Sequence, residues 1–209
     1  MVAHSPVIRV VEDNSSYRRA LTRLLQIAGY TVRGYGSAGE FLLDETSCEV
    51  PGCMLLDLFM PGPSGLELHE TLTRRGDTLP VVYLSAQGDV PSSVRAMKAG
   101  AVDFLTKPVK GEVLLAAVRE ALAQDEQRRT EKTRHRELEN RYTSLTPREQ
   151  EVMKEVVAGR LNKQIAADLG VAERTVKWHR AQMMEKMGVA SLAELVNVGR
   201  ELHSKSAAM

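Results

Sequence analysis

Two kinds of apolar run alternate along the first 124 residues. Short, nearly continuous ones stand at residues 7–11 (VIRVV), 31–35, 53–58 (CMLLDL), 81–84 (VVYL) and 102–105. Between them, at about 16–28, 38–43, 65–74 and 91–99, the apolar positions recur at helical spacing, and a fifth such pattern starts near Glu112. Strands apolar on both sides have no wet face, so five of them alternating with helices predict a doubly wound α/β unit, a parallel sheet covered on both faces. Gly29, Gly76 and Gly100 each follow the last periodic residue of a helix, where a left-handed cap ends it.

The fifth helical pattern has no clean end. No Pro or Gly interrupts the chain from Glu112 to about Asn140, while its composition passes from apolar (VLLAAV) to charged (DEQRRTEKTRHRELEN). Such a run is either a solvated, disordered linker or a long exposed helix, and the helix propensity of its residues favours the helix. A new unit opens at Thr143–Glu149. Thr146 with Glu149 three residues on forms a capping box, and Pro147 takes the first helical position. Only helical patterns follow. The expected organisation is an α/β domain over 5–123, a helical linker over 124–142 and an all-α four-helix domain over 143–204.

Composition narrows the class. At 209 residues, 43% hydrophobic and 26% charged, the chain reads as two ordinary globular domains. No apolar run approaches the roughly 18 residues that span a bilayer, and the start lacks the basic and apolar regions of a signal peptide. A cytoplasmic protein without a membrane partner is expected. Cys48 and Cys53 lack the His/Cys neighbours of a metal site and are expected reduced and packed. Residues 1–124 hold 12 Lys and Arg against 14 Asp and Glu, and residues 125–209 hold 16 against 13. The sign of this contrast suits an acidic first half and a nucleic-acid-binding second half.

In a doubly wound sheet, function gathers beyond the carboxyl ends of the strands. Glu12 and Asp13 follow the first strand, Asp57 ends the third, Ser85 follows the fourth, and Lys107 with Pro108 follows the fifth. Each has a plainer role when taken singly. A strand-end Asp caps a helix, a Ser bonds solvent, and a Lys before Pro lies on the surface. Together they bring three carboxylates, a hydroxyl and an ammonium to four strand ends. Such a cluster repels itself unless a hard divalent cation sits in it, and an all-oxygen donor set suits Mg²⁺. A carboxylate beside that cation can act as nucleophile toward a phosphoryl group, with Lys107 neutralising the phosphoryl oxygens and Ser85 donating to them.

Over residues 5 to about 123 the chain resembles the receiver domains of two-component response regulators. The resemblance rests on Glu12-Asp13, Leu56–Gly62 (LDLFMPG), Leu84-Ser85-Ala86 and Lys107-Pro108, with Ala96–Pro108 (AMKAGAVDFLTKP) similar to the branch named after FixJ. It implies a flavodoxin-like strand order of 2-1-3-4-5 and Asp57 as phosphoacceptor. It also implies Mg²⁺ held by Asp13, Asp57, the backbone carbonyl of Phe59 and, directly or through water, Glu12. Lys107 would pair with the phosphate, and the Lys107–Pro108 bond would be cis. Phe104 matches the family's switch aromatic, although periodicity alone reads it as a core residue of a strand.

In the second half, residues 162–169 (NKQIAADL), then Gly170-Val171-Ala172, then residues 173–187 (ERTVKWHRAQMMEKM) read as helix, turn, helix. This is the pattern whose second helix enters the major groove of DNA. On that helix Val176, Met183 and Met187 share one stripe with His179 beside it, while Arg174, Lys177, Trp178 and Ala181 share another. The first stripe is core. The second is basic, and an exposed Trp in it favours apolar contact with a base or sugar. Residues 145–198 resemble the LuxR-type DNA-binding domain through LTPREQEVM, GRLNKQIAADLGVAERTVKWH and MEKMGVASLAELV. That resemblance implies phosphate contacts from Lys163 and Thr175, base-edge positions for Lys177, Trp178 and Ala181, and a dimer contact at residues 191–198.

The whole reads as a response regulator of the FixJ/NarL type. Its expected partners are a sensor histidine kinase, double-stranded promoter DNA, RNA polymerase and, on phosphorylation, a second copy of itself. A rival reading is a phosphatase with an aspartyl nucleophile, but such enzymes need a second acid two residues on, where this chain has Phe59. The chain is therefore expected not to be an enzyme. Two further rivals are a constitutive DNA-binding protein with a structural receiver, and control through a partner protein without phosphorylation.

Overall fold

The computed structural model describes residues 5–44, 50–86 and 90–206. They divide into two compact units between Arg129 and Thr130.

In the first unit β1 (Val7–Val11), β2 (Thr31–Tyr35), β3 (Gly52–Asp57), β4 (Val81–Ser85) and β5 (Asp103–Thr106) form one sheet in the order β2-β1-β3-β4-β5. Every pairing is parallel. Between the strands run α1 (Ser15–Ile27), α2 (Ala38–Leu42), α3 (Gly65–Arg74) and α4 (Val90–Lys98), and α5 (Gly111–Thr143) follows β5. β1, β3 and β4 are buried at every position, whereas the edge strands β2 and β5 are partly exposed. Successive side chains of β3 serve opposite cores. Leu56 packs with Val11, Leu68 and Tyr83, and Leu55 packs with Ile8, Leu25 and Val118. The strand and helix bounds lie within about one residue of the sequence pattern, as hydrogen-bonded ends commonly do.

The amino end of the sheet holds a buried charged group that the apolar pattern concealed. Arg9, inside VIRVV, donates to the carbonyls of Val7 and Val50, both at 2.7 Å. Asp125 of α5 accepts from the Gly52 N–H at 2.8 Å and from Arg129 Nε at 2.8 Å. Gly52 has φ +150°, and a Cβ there would lie 1.9 Å from the Val7 carbonyl oxygen, so only glycine fits. Asp125 and Arg129 thus bind the first unit, although they fall in the stretch expected as linker. Cys53 is buried and free, and burial pushes its thiol up to about 12, which leaves it unreactive near neutral pH. Cys48 lies outside the described residues. No helix among the described residues is long and apolar enough to cross a membrane.

The charged stretch is helical. α5 runs 33 residues, and those from Thr130 onward belong to the second unit. That unit continues with α6 (Pro147–Val157), α7 (Asn162–Leu169), α8 (Glu173–Met187) and α9 (Leu192–Ser206). Thr146 and Glu149 form the expected capping box at the start of α6. The core collects Val152, Ile165, Val176, Met183, Met187 and Leu195. Gly170 and Gly188 end α7 and α8 in the left-handed region.

Glu149 does more than cap. Its carboxylate accepts from Lys186 Nζ of α8 at 2.9 and 2.7 Å, tying α6 to α8. Burial raises the Glu149 pKa, but the Lys186 bonds and the Thr146 donors outweigh it and hold the carboxyl below its ordinary 4.5. A carboxyl group with a lower pKa folded than unfolded adds stability above the unfolded value and loses it as pH falls through the folded one. The second unit should therefore weaken in acid below that range. Trp178, the only tryptophan, reports on this unit. In urea unfolding followed by its fluorescence, the stability gap between wild type and Lys186→Met should be full at pH 7. It should shrink toward about pH 3.

Candidate functional site

The carboxyl ends of β1, β3, β4 and β5 surround one acidic pocket. Glu12, only 1% exposed, follows β1, and Asp57 ends β3. One carboxylate oxygen from each of Glu12, Asp13 and Asp57 lies within 4.8 Å of the others, with the Asp13 side exposed. Lys107, beyond β5, reaches back with Nζ 2.6 Å from Glu12 Oε2 and 2.9 Å from Asp57 Oδ2. Its main-chain N–H donates to the Ser85 carbonyl at 2.7 Å, so the ends of β4 and β5 are bonded at the pocket. Ser85 is fully buried, and the Lys107–Pro108 bond is cis. Burial pushes the Glu12 carboxyl above its ordinary value; the Asp57 charge adds to this and Lys107 opposes it. Burial also works against the Lys107 ammonium, but its bonds to the two carboxylates prevail and its pKa is raised. The three facing donors are all carboxylate oxygens, and burial disfavours Glu12 as an anion. A hard divalent cation fits that set.

Around this pocket the Phe59 N–H donates to Asp57 Oδ1 at 3.3 Å, and Phe59 is 50% exposed. Phe104 is half-buried against the core on the Leu56 face of the sheet. Asn14 caps α1 by accepting from the Ser16 and Tyr17 N–H groups, which fixes the loop that carries the two acids.

In the second unit α7 and α8 form the helix-turn-helix. Arg180 of α8 donates to Asn162 of α7 at 3.2 Å, and Arg148 of α6 donates to the Leu169 carbonyl at 2.8 Å. Val176, Met183 and Met187 are fully buried, as their stripe requires. Arg174, Lys177 and Ala181 are exposed, Thr175 is half-buried and Trp178 is 59% exposed. Trp178 meets His179 edge-on with ring centroids 4.9 Å apart. Lys177 pairs with Glu173 at 3.2 Å, and Lys163 is exposed on α7.

Residues 8–119 match the response regulator receiver domain family, and residues 143–198 match the bacterial regulatory proteins of the luxR family. The chain belongs to the LuxR-type response regulators. Nodulation protein W of Bradyrhizobium diazoefficiens is 44% identical over 196 residues, covering 94% of this chain and 86% of the relative. Transcriptional regulatory protein FixJ of Azorhizobium caulinodans is 40% identical over 194 residues, covering 91% and 90%. Among solved structures, response regulator StyR superposes with a TM-score of 0.84 at 44% identity, covering 94% of this chain and 99% of that one.

Two features of this response regulator's pocket go beyond the sequence pattern. The Tyr17 ring lies 5.0 Å from Lys107 Nζ, a cation–π contact that nothing in the local pattern signals. Gly65 opens α3 behind a Ser64–Glu67 capping box, and a Cβ there would stand 2.3 Å from the Asp57 carbonyl oxygen. The capping box was the available signal for this close approach. Gly65→Ala should push α3 away from the pocket and cost about 2 kcal/mol of receiver stability. Urea unfolding followed by far-ultraviolet circular dichroism measures that loss.

Proposed function

We propose that Asp57 is the phosphoacceptor through which a sensor histidine kinase controls promoter binding by the second unit. The observation that carries this reading is the convergence of Glu12, Asp13, Asp57 and Lys107 from separate strand ends into one pocket. Glu12, Asp13, Asp57 and the Phe59 carbonyl would hold Mg²⁺, which when bound neutralises phosphoryl oxygens. An Asp57 carboxylate oxygen forms the new P–O bond as the P–N bond of the kinase's phosphohistidine breaks and the imidazole leaves with the bond pair. Lys107 then exchanges part of its bonding to Asp57 for the phosphoryl group, and Ser85 donates to a phosphoryl oxygen. Phe104 turns inward as Ser85 moves, and the surface of α4, β5 and α5 changes with it. Val94 and Met97 of α4 and Val113 of α5 are exposed apolar side chains on those elements, suited to a dimer face.

The dimer pairs two output units on two half-sites. Helix α8 enters the major groove with Lys177, Trp178 and Ala181 over base edges and Arg174 on the same DNA-facing stripe, while Lys163 and Thr175 bind phosphates. The outcome is activation of transcription with RNA polymerase, in the cytoplasm. A position 59 without an acid suits a receiver that holds its phosphoryl group as a signal and is not a phosphatase.

Binding of genomic promoter fragments, measured by gel shift with and without acetyl phosphate and Mg²⁺, tests this. Wild type should tighten on treatment by about tenfold or more, within the usual range of allosteric coupling. Asp57→Asn should stay at the untreated level. Equal tightening in both proteins contradicts the reading.

A further inference from the structure

The first turn of α1 carries a side chain that the pocket chemistry does not use. Arg18 points back at the loop between β1 and α1, and its Nη1 donates to the Glu12 carbonyl at 2.5 Å and to the Asp13 carbonyl at 3.3 Å. One guanidinium therefore holds the main chain of both acids that flank the pocket. The Arg18 stem crosses the end of β2 where the chain has glycine at 34 and 36, and Cβ atoms built there would lie 3.4 Å from Arg18 Cδ and 3.6 Å from Arg18 Nη1. Neither glycine has a positive φ. Backbone freedom is thus not what these positions need; a Cβ at either would already touch Arg18, and a branched side chain at 34 would reach into its stem. Glu40 Oε2 accepts from the Gly36 N–H at 2.6 Å.

We propose that Arg18 is a positioning residue for divalent cation binding, clamping the Glu12–Asp13 backbone so that both carboxylates face Asp57. The inference rests on the cation site proposed above. Three like charges within 4.8 Å favour a loop that splays, and each conformation in which Asp13 turns away lowers cation affinity. Charge-assisted bonds to both carbonyls select the converged loop before the cation arrives. Arg18 touches neither the cation nor the phosphoryl group.

Mn²⁺ binding to the full chain, followed by the electron paramagnetic resonance signal of free Mn²⁺, measures the effect. Arg18→Met should weaken Mn²⁺ by about tenfold, in the range of other groups that orient metal ligands. Arg18→Lys, with one charged head for two carbonyls, should recover part of the loss. Gly34→Val alters neither acid nor Arg18 itself but would crowd the Arg18 stem, and it too should weaken Mn²⁺. Phosphorylation by acetyl phosphate should return to the wild-type level at saturating cation, and the thermal midpoint of the cation-free protein reports any general loss of fold. If Arg18→Met fails to fold, Gly34→Val decides. Wild-type Mn²⁺ affinity in a folded Arg18→Met or in Gly34→Val overturns the proposal. Absence of Mn²⁺ binding by the wild type overturns the cation site itself, and the proposal with it.

Discussion

Crowding of three carboxylates against one ammonium is the constraint on which the receiver unit depends. Glu12, Asp13 and Asp57 sit within 4.8 Å of one another at the edge of a buried sheet, and Lys107 bridges two of them. Charges so close are costly unless countered, and burial of Glu12 makes the cost larger. The fold answers with rigidity. β1, β3 and β4 are buried on both faces, the β4 and β5 ends are bonded through Ser85 and Lys107, and Gly65 lets α3 start against the Asp57 carbonyl. A cation or a phosphoryl group entering such a pocket would change which charge Lys107 must satisfy, which is why the proposed switch is placed there.

The same chain solves a different problem in its second unit. There the buried charge is Glu149, held by the Thr146 cap and by Lys186. The apolar stripe of α8 is spent on the core, which leaves Lys177, Trp178 and Ala181 on the outside. The core stripe and the proposed DNA-facing stripe thus occupy two faces of one helix.

Much of this was legible in the sequence because it follows from period and position. Buried parallel strands write themselves as short apolar runs, and the acids, the Ser and the Lys at their ends align once the strands are placed. The capping box at Thr146 and the stop glycines are local chemistry. What stayed hidden depends on contacts far apart along the chain. Asp125 accepts from Gly52, 73 residues away, and Arg9 resembled a mere interruption of an apolar run. The Tyr17 contact with Lys107 and the Arg18 contact with the acidic loop exist only after α1 docks beside β1 and β2. Phe104 illustrates the reverse case. Its half-buried place against the core suits both a packed strand residue and an aromatic that can turn.

The central claim is that the converged pocket makes Asp57 a cation-dependent phosphoacceptor. Treatment with acetyl phosphate, reduction of any acyl phosphate by borohydride and peptide mass mapping locate the modified residue directly. The account predicts modification at Asp57 in the presence of Mg²⁺ and none after chelation by EDTA. Modification at another carboxylate, or at Asp57 without any divalent cation, would contradict it.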